Sequence, residues 1–229
     1  MALVKMAIFD VAGTTAQDDG LVVRAFQGAV ISMGIDPNSD QFQEMTKYVI
    51  ATMGVRKIDV FLHLFDGNSI LAEEAHEKFV AGYIDLVKAG ELEEFEGVSN
   101  LFRKLREADV AIGITTGFPR EILDRIISNL GWSSLIDTSV AASEVDTGRP
   151  APDMILRSIE LFNVQTGAHV SPSEVAVIGD TESDMGSGIN AQVKFIVGVT
   201  SGAHNEERLK SHGATHVLSH STDLFEVIA

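Results

Sequence analysis

The chain contains six short apolar runs, and each is followed by a turn residue or by the start of a helical pattern. Runs of this length with such flanks are typical of buried strands. The predicted strands are Val4–Asp10, Val110–Thr115, Thr138–Ala142, Val175–Gly179, Lys194–Val199 and Thr215–Leu218. Apolar residues at three- and four-residue spacing predict the helices Val98–Asp109, Pro119–Leu130, Pro152–Phe162, Glu182–Ala191 and Glu206–His212. This alternation predicts an α/β fold with a doubly wound parallel sheet.

The stretch from residue 20 to residue 90 departs from this alternation, because it shows helical periodicity throughout. The helices predicted there are Leu21–Met33, Asp40–Thr52, Val55–Phe65 and Ile70–Lys88, separated by Gly34, Pro37, Gly54 and Gly67. We therefore predict an all-helical domain at residues 20–90, inserted after the first strand. The α/β core is then built from residues 1–19 and 91–229, with linkers at Thr15–Gly20 and Glu91–Gly97.

The charge balance limits the partners of this chain. It carries 33 Asp and Glu against 17 Lys and Arg, a formal net charge of −16, with no basic run to neutralise a nucleic-acid backbone. A small phosphorylated substrate would therefore need a metal ion and a few placed cations. The chain has no cysteine, which excludes a thiol nucleophile and thiolate metal ligands. Because we find neither a signal pattern nor a membrane-length apolar stretch, we expect a cytoplasmic protein without membrane contact.

Two of the predicted strands end in carboxylates. Asp10 ends the first strand, Asp180 follows the run at residues 175–179, and Asp184 lies one helical turn further on. Ligands of open α/β sheets bind beyond the carboxyl ends of the strands. Carboxylates that converge there raise each other's pKa unless a cation is present, and Mg²⁺ suits oxygen ligands of this kind. Taken singly, each aspartate could equally be a turn former or a helix cap.

Two further motifs offer contacts for an oxyanion. Thr116 and Gly117 follow a predicted strand and precede a proline that starts a helix, where backbone N–H groups can bind an anion. Arg149 lies between a glycine and a proline at the start of another helix. It is either a surface arginine or a phosphate clamp.

In this order, the four motifs resemble the haloacid dehalogenase superfamily of hydrolases, and the resemblance covers essentially the whole chain. The resemblance implies a Rossmann-like core and makes Asp10 a nucleophile that forms an aspartyl-phosphate. The implied Mg²⁺ ligands are Asp10, the backbone carbonyl of Ala12, Asp180 and, in a supporting position, Asp184. Thr116 and Gly117 would bind phosphoryl oxygens, and Arg149 would replace the lysine of most members. The inserted helices would form a mobile cap that excludes water.

Position 12 distinguishes two groups within this superfamily. Its phosphatases usually have a second aspartate there to protonate the departing alkoxide, a contribution of about 10²–10⁴-fold in rate. This chain has Ala12, as phosphonatases do. In phosphonatases, an imine on a cap lysine takes up the electron pair of the C–P bond as it breaks. The segment from Met53 to Lys57 resembles the phosphonatase segment that carries this lysine. The resemblance places Lys57 at the imine position and Met53 beside the substrate. The resemblance thus implies C–P bond hydrolysis of phosphonoacetaldehyde or a related phosphonate, and we expect Arg56 and burial to lower the pKa of Lys57.

Departures from the phosphonatase pattern leave alternatives open. Val60 stands where phosphonatases have a histidine. His63, one turn further along the predicted helix, is either a replacement for it or an ordinary helix-surface histidine. Phe118 replaces an aromatic hydroxyl, and a cap cysteine is absent. The first alternative is a phosphatase for a small phosphate monoester, and the second is a non-catalytic phosphate-binding module. The resemblance also implies a homodimer formed through the cap.

Overall fold

A computed structural model describes residues 3–228 of the chain. Within that range the strands are β1 (Met6–Phe9), β2 (Ala16–Gln17), β3 (Glu93–Glu94), β4 (Ala111–Thr116), β5 (Thr138–Ala141), β6 (Val175–Gly179), β7 (Phe195–Val199) and β8 (His216–Leu218). Six of them form a parallel sheet in the order β5-β4-β1-β6-β7-β8. These are the six predicted strands, and the α/β fold class is confirmed. The antiparallel pair β2–β3 was not predicted, because two-residue strands leave no periodicity to detect.

Helices connect these strands along the chain. They are α1 (Leu21–Ser32), α2 (Asp40–Ala51), α3 (Lys57–Leu64), α4 (Ser69–Lys88), α5 (Val98–Glu107), α6 (Arg120–Asn129), α7 (Asp153–Thr166), α8 (Glu182–Ala191), α9 (Glu206–Ser211) and α10 (Phe225–Ile228). Every predicted helix is present, and only the short α10 was not predicted. No helix within residues 3–228 is both long enough and apolar enough to pass through a bilayer.

The sheet is buried on both faces, as a doubly wound fold requires. All four β1 residues have no accessible surface. Ala7 and Phe9 face the large apolar cluster that includes α5 and α6, whereas Met6 and Ile8 face Ile155 on α7. Successive strand residues point to opposite faces, so a continuous apolar run is what a strand between two helical layers needs.

The strand order positions the site. From β1 the chain moves to one side through β4 and β5, then crosses back to β6 on the other side of β1. Phe9, the last residue of β1, pairs with Ile114 of β4 and Ile178 of β6. The carboxyl ends of these three strands therefore meet where strand order reverses, the usual place for a ligand in such sheets.

Along the chain, helices α1 to α4 come after β2 and before β3. These two strands form an antiparallel ribbon in which Ala16 pairs with Glu94 and Gln17 with Glu93. The ribbon falls in the two predicted linkers. Both chain crossings between residues 20–90 and the rest of the protein therefore lie side by side. This arrangement supports the proposal that residues 20–90 are a cap domain and residues 1–19 and 91–229 the core.

Candidate active site

Three carboxylates lie together at the carboxyl end of the sheet. Asp10 follows β1, Asp180 follows β6, and Asp184 lies in the first turn of α8. All three are buried, and one carboxylate oxygen of each lies within 4.8 Å of the others. Neighbouring parallel strands thus bring together side chains that are 170 or more positions apart in sequence. Their role as metal ligands stays a prediction.

The turn after β1 needs a glycine for two reasons. Gly13 has a φ of +79°, a left-handed conformation that residues with a Cβ rarely adopt. A Cβ at this position would also lie 2.5 Å from Asp180 Oδ2. The chain therefore turns sharply enough for Asp10 and Asp180 to face the same space.

Arg149 is the cation of this cluster. Its guanidinium is buried, and Nη1 donates to Asp10 Oδ1 at 2.5 Å, while Nη2 donates to Thr115 Oγ1 at 2.7 Å. Nη1 also lies 2.9 Å from Asp184 Oδ1, but the angle there does not make a hydrogen bond, and this buried oxygen has no hydrogen-bond donor. The contact is ionic, and among residues 3–228 no donor makes a hydrogen bond to Asp184 Oδ1. The sequence left open whether Arg149 lies at the surface, and the structure places it inside.

The electrostatics favour a divalent ion at the three carboxylates. The guanidinium of Arg149 offsets one of the three negative charges. The atoms that could bind an ion are all oxygens, and they include Asp184 Oδ1, which accepts no hydrogen bond from the described residues. Such hard ligands suit Mg²⁺. The residues present therefore fit the ion that the sequence implied.

Burial raises the pKa of two of these carboxyl groups. The pKa of Asp10 rises to about 6, because burial outweighs the opposing charge of Arg149 and the charge of Asp184 adds to the effect. Burial raises the pKa of Asp180 well above its usual value, and the charges of Asp10 and Asp184 add to this. Hydrogen bonds from Thr14 Oγ1 at 3.2 Å and from the backbone of Ala203 at 2.7 Å act in the opposite direction. Asp10 and Asp180 therefore bind protons more readily than exposed carboxylates do.

Thr116, Gly117 and Ala12 line the same cavity as Asp10. Thr116 is the last residue of β4, and its Oγ1 accepts a hydrogen bond of 3.3 Å from the backbone N–H of Phe118. A Cβ at Gly117 would lie 2.9 Å from the carbonyl oxygen of Val55 and 3.0 Å from that of Gly54. Glycine at position 117 thus allows the loop before α3 to close directly over the sheet edge.

Lys57 enters this cavity from the helical insertion. It is the first residue of α3 and only 6% exposed, and it lines a cavity of about 540 Å³ together with Asp10. Its Nζ donates to the carbonyl of Val55 at 3.3 Å and lies 5.9 Å from the centre of the Phe118 ring. Within residues 3–228, no Asp or Glu oxygen comes within 4.0 Å of this amine. A buried lysine without an ion pair is rare, and burial readily shifts the pKa of its amine.

Burial lowers the pKa of Lys57 to about 8, although the charges of Asp18 and Asp10 oppose the shift. The cation that adds to this lowering is Arg149, whereas the contribution expected of Arg56 stays a prediction. The Arg56 guanidinium makes a paired contact with Asp59 at 2.8 and 2.9 Å and donates to the carbonyl of Asp146 at 3.2 Å. These groups neutralise Arg56 and hold it between α3 and the loop before Arg149, so desolvation is the main cause.

His63 is exposed on the helix surface, which is one of the two roles that the sequence left open for it. His63 stacks on Tyr48 of α2, with ring centres 4.2 Å apart, and does not line the cavity of Lys57. Val60 is buried in the apolar cluster. Two turns of α3 separate Lys57 from His63, which places the histidine on a different side of the insertion. Met53, by contrast, lines the cavity, and its contact with the substrate stays a prediction.

Sequence reasoning missed Asp18 and Tyr83. Asp18 lines the cavity between β2 and α1, and the Tyr83 hydroxyl on α4 donates to its Oδ1 at 3.4 Å. Tyr83 follows the apolar stripe of α4 and is fully buried, so its position in sequence reads as core. Asp18 precedes a helix, where an acidic residue is ordinary. No local signal distinguishes either residue from these common roles.

Known proteins resemble this chain in sequence and in fold. A phosphonoacetaldehyde hydrolase from Bacteroides fragilis is 28% identical over 240 aligned residues, which cover 95% of this chain and 83% of that protein. The crystal structure of a hydrolase from Pseudomonas syringae matches with a TM-score of 0.82 at 22% identity, over 99% of this chain and 100% of that one. A phosphonoacetaldehyde hydrolase-like protein from Oleispira antarctica matches with a TM-score of 0.78 at 21% identity, over 98% and 91%. These structural matches support the fold.

A family model also matches most of the chain. The model for haloacid dehalogenase-like hydrolases covers residues 7–198, which run from β1 through β7 and include the helical insertion. This range contains Asp10, Lys57, Arg149 and both aspartates that follow β6. The chain therefore belongs to the haloacid dehalogenase-like hydrolase family.

Proposed function

We propose that this hydrolase is phosphonatase-like and cleaves the C–P bond of phosphonoacetaldehyde or a closely related aldehyde phosphonate. The observation that carries the proposal is the position of Lys57. Its buried amine lines the same cavity as the Asp10 carboxylate, and its pKa of about 8 leaves part of the amine unprotonated near neutral pH. One cavity thus offers a nucleophile for phosphorus and an amine for an aldehyde.

Asp10 is the proposed nucleophile at phosphorus. Its carboxylate lies at the strand end beside Thr116 and Gly117, which are the proposed contacts for phosphoryl oxygens. Arg149 holds Asp10 in place through the 2.5 Å hydrogen bond and adds positive charge where the phosphoryl group would arrive. Attack forms an aspartyl-phosphate, which water then hydrolyses to free phosphate and Asp10.

The proposed Mg²⁺ ligands are Asp10, the Ala12 carbonyl and Asp180, with Asp184 in support. A bound Mg²⁺ would offset the charge of the phosphoryl oxygens and of the carboxylates. The side chains of the cluster keep the nucleophile in a fixed position between two strands. The proposed partner is a small phosphonate or phosphate ester, and a homodimer stays an expectation from the family resemblance.

Lys57 is the proposed activator of the carbon leaving group. Its amine condenses with the aldehyde and releases water, and the resulting protonated imine lies β to phosphorus. When the C–P bond breaks, its electron pair moves into the imine and leaves an enamine, which takes up a proton at carbon. Hydrolysis of that imine returns acetaldehyde and the free amine. Ala12 fits this route because a carbon leaving group stabilised in this way needs no aspartate at position 12.

A small-monoester phosphatase is the second candidate function. It is favoured by Phe118 and by the outward position of His63, because both leave the imine without the expected acid–base groups. A substrate with a good leaving group needs no general acid at position 12. A non-catalytic phosphate-binding module is the third reading. It is disfavoured because Asp10, Thr116, Arg149 and Asp180 are all present, whereas a module that only binds phosphate needs no nucleophile.

Borohydride trapping tests the imine directly. We expect sodium borohydride, added during turnover of phosphonoacetaldehyde, to leave a reduced adduct on Lys57 and to inactivate the enzyme. Mass spectrometry of the digested protein locates the adduct, and protein treated with borohydride alone is the control. An unmodified Lys57 in protein that releases phosphate from phosphonoacetaldehyde would eliminate the imine step.

Mg²⁺ should stabilise the protein more at pH 7.5 than at pH 5. The pKa of Asp10 is about 6 in the fold, so at pH 5 the ion must displace a proton, whereas at pH 7.5 the carboxylate is already charged. An ion at 100 times its Kd adds about 2.7 kcal/mol, which corresponds to roughly 5–10 °C in Tm for a protein of this size. Thermal unfolding with and without MgCl₂ measures this. The rise should vanish in Asp180→Asn, and an equal rise at both pH values would contradict the assignment.

A further inference from the structure

The wall of the cavity beside Lys57 holds another carboxylate, Asp18, which the proposed reaction has not used. Asp18 lies between β2 and α1 and is partly buried. The hydroxyl of Tyr83, on the fully buried side of α4, donates to Asp18 Oδ1 at 3.4 Å. The backbone N–H of Val22 donates to Asp18 Oδ2 at 3.4 Å. Each carboxylate oxygen thus has a donor that fixes its direction.

Asp18 and Lys57 act on each other through the cavity. The charge of Asp18 has the largest effect of any single charge on the pKa of Lys57, and Lys57 in turn lowers the pKa of Asp18. Burial outweighs this on both sides, so the pKa of Asp18 is raised and that of Lys57 is lowered. Each charge thus shifts the pKa of the other group, but no oxygen of Asp18 lies within 4.0 Å of Lys57 Nζ. Both residues line the same cavity of about 540 Å³.

The other carboxylates that line the cavity do not offer this arrangement. Asp10 and Asp180 belong to the cluster around Arg149. Asp19 is exposed. Phe118 carries no hydroxyl, but its ring packs against the Tyr83 ring, with ring centres 4.6 Å apart. The Tyr83 hydroxyl therefore lies near Phe118, where it contacts Asp18. Asp18 is therefore the carboxylate placed to exchange protons with Lys57.

We propose that Asp18 is the proton-transfer partner of Lys57 and that Tyr83 positions Asp18. This inference rests on the proposed imine reaction and names the acid–base group that it needs. Tyr83 serves as a donor only, because burial and the charge of Asp18 raise its pKa well above the usual value. Its hydroxyl therefore holds one carboxylate oxygen while the other exchanges the proton.

The proton balance closes with these two groups. The Asp18 carboxylate takes a proton from the Lys57 ammonium, and the free amine adds to the aldehyde carbon. The nitrogen of the adduct passes a proton to its oxygen, which gives a neutral carbinolamine. Asp18 then donates its proton to the hydroxyl, which leaves as water while the nitrogen lone pair forms the C=N bond. The products are a protonated imine and the original Asp18 carboxylate.

The test measures how fast the imine forms. Enzyme in excess is mixed with phosphonoacetaldehyde, quenched with borohydride at increasing times, and the reduced Lys57 adduct is quantified by mass spectrometry. We expect Asp18→Asn to slow adduct formation by about 10²-fold, within the range of general acid–base catalysis. Asp18→Glu, which keeps the carboxylate, should recover at least part of this loss. Tyr83→Phe should slow the reaction by a few-fold, because it removes one hydrogen bond and leaves the acid in place.

Asp19→Asn is the matched control. It removes the same charge from the neighbouring exposed residue, whose φ of +42° asparagine tolerates. Equal rates for Asp18→Asn and Asp19→Asn would overturn the inference while leaving the imine intact. Absence of the Lys57 adduct in the unmodified protein would instead overturn the proposed function. If Asp18→Asn unfolds at a lower temperature, the other two variants decide. A loss in Asp18→Glu as large as in Asp18→Asn, or a rate equal to wild type in Tyr83→Phe, would overturn the inference.

Discussion

Asp10→Asn should lower hydrolysis of every substrate by roughly 10⁴–10⁶-fold, as expected when a covalent nucleophile is removed and only binding and charge stabilisation remain. Asparagine keeps the shape of the side chain at the end of β1. Its neutral amide cannot accept the phosphoryl group, and it no longer balances Arg149 Nη1 at 2.5 Å. The measurement is phosphate release from phosphonoacetaldehyde and from acetyl phosphate, in the presence of MgCl₂.

The same substitution should leave the fold intact. The pKa of Asp10 is about 6 in the fold against 3.8 for the free side chain, so the native state binds a proton more tightly than the unfolded chain. Ionisation of Asp10 between about pH 4 and pH 6 therefore lowers stability, and the neutral asparagine avoids this cost. We expect an unfolding temperature no lower than that of the wild type at pH 7.5 without Mg²⁺. Undiminished hydrolysis by Asp10→Asn would remove the basis of the nucleophile assignment.

Lys57→Met should separate the two chemistries of the cavity. Cleavage of phosphonoacetaldehyde should fall by roughly 10³-fold or more, because the imine that takes up the C–P electron pair can no longer form. Hydrolysis of acetyl phosphate should fall far less, since its leaving group needs no imine. Methionine has a similar length and suits a buried position, and Lys57 has no ion pair in the described part of the chain to lose.

Lys57→Arg is the matched control for charge. Arginine keeps a cation at this position but forms no imine, so it should lose phosphonate cleavage as Lys57→Met does. Recovery of cleavage in Lys57→Arg would show that position 57 supplies only charge. Equal losses on phosphonate and acyl phosphate in Lys57→Met would favour the monoester phosphatase, with Lys57 as a general substrate contact. Steady-state assays of both substrates with each variant separate these results.

The sequence alone determined the positions of the strands and helices, because strands and helices have different side-chain periods that remain visible without the fold. The buried run at residues 175–179 and the helix at residues 182–191 coincide with β6 and α8. The sequence also determined which strands are followed by carboxylates. Two-residue β2 and β3 escaped detection, because pairing partners more than 70 positions apart define them.

Only the tertiary structure decided which of these residues meet. The pairing of Phe9 with Ile178 brings Asp10 beside Asp180, and no local pattern specifies that neighbour. The first residue of α3, Lys57, contacts the loop after β4 and is buried there, whereas His63 on the same short helix stacks on Tyr48 of α2. Asp18 and Tyr83 come together across 65 positions by the packing of α4 beside α1. Contacts of this kind depend on the arrangement of whole elements, whereas local sequence fixes only what each element is and which face it buries.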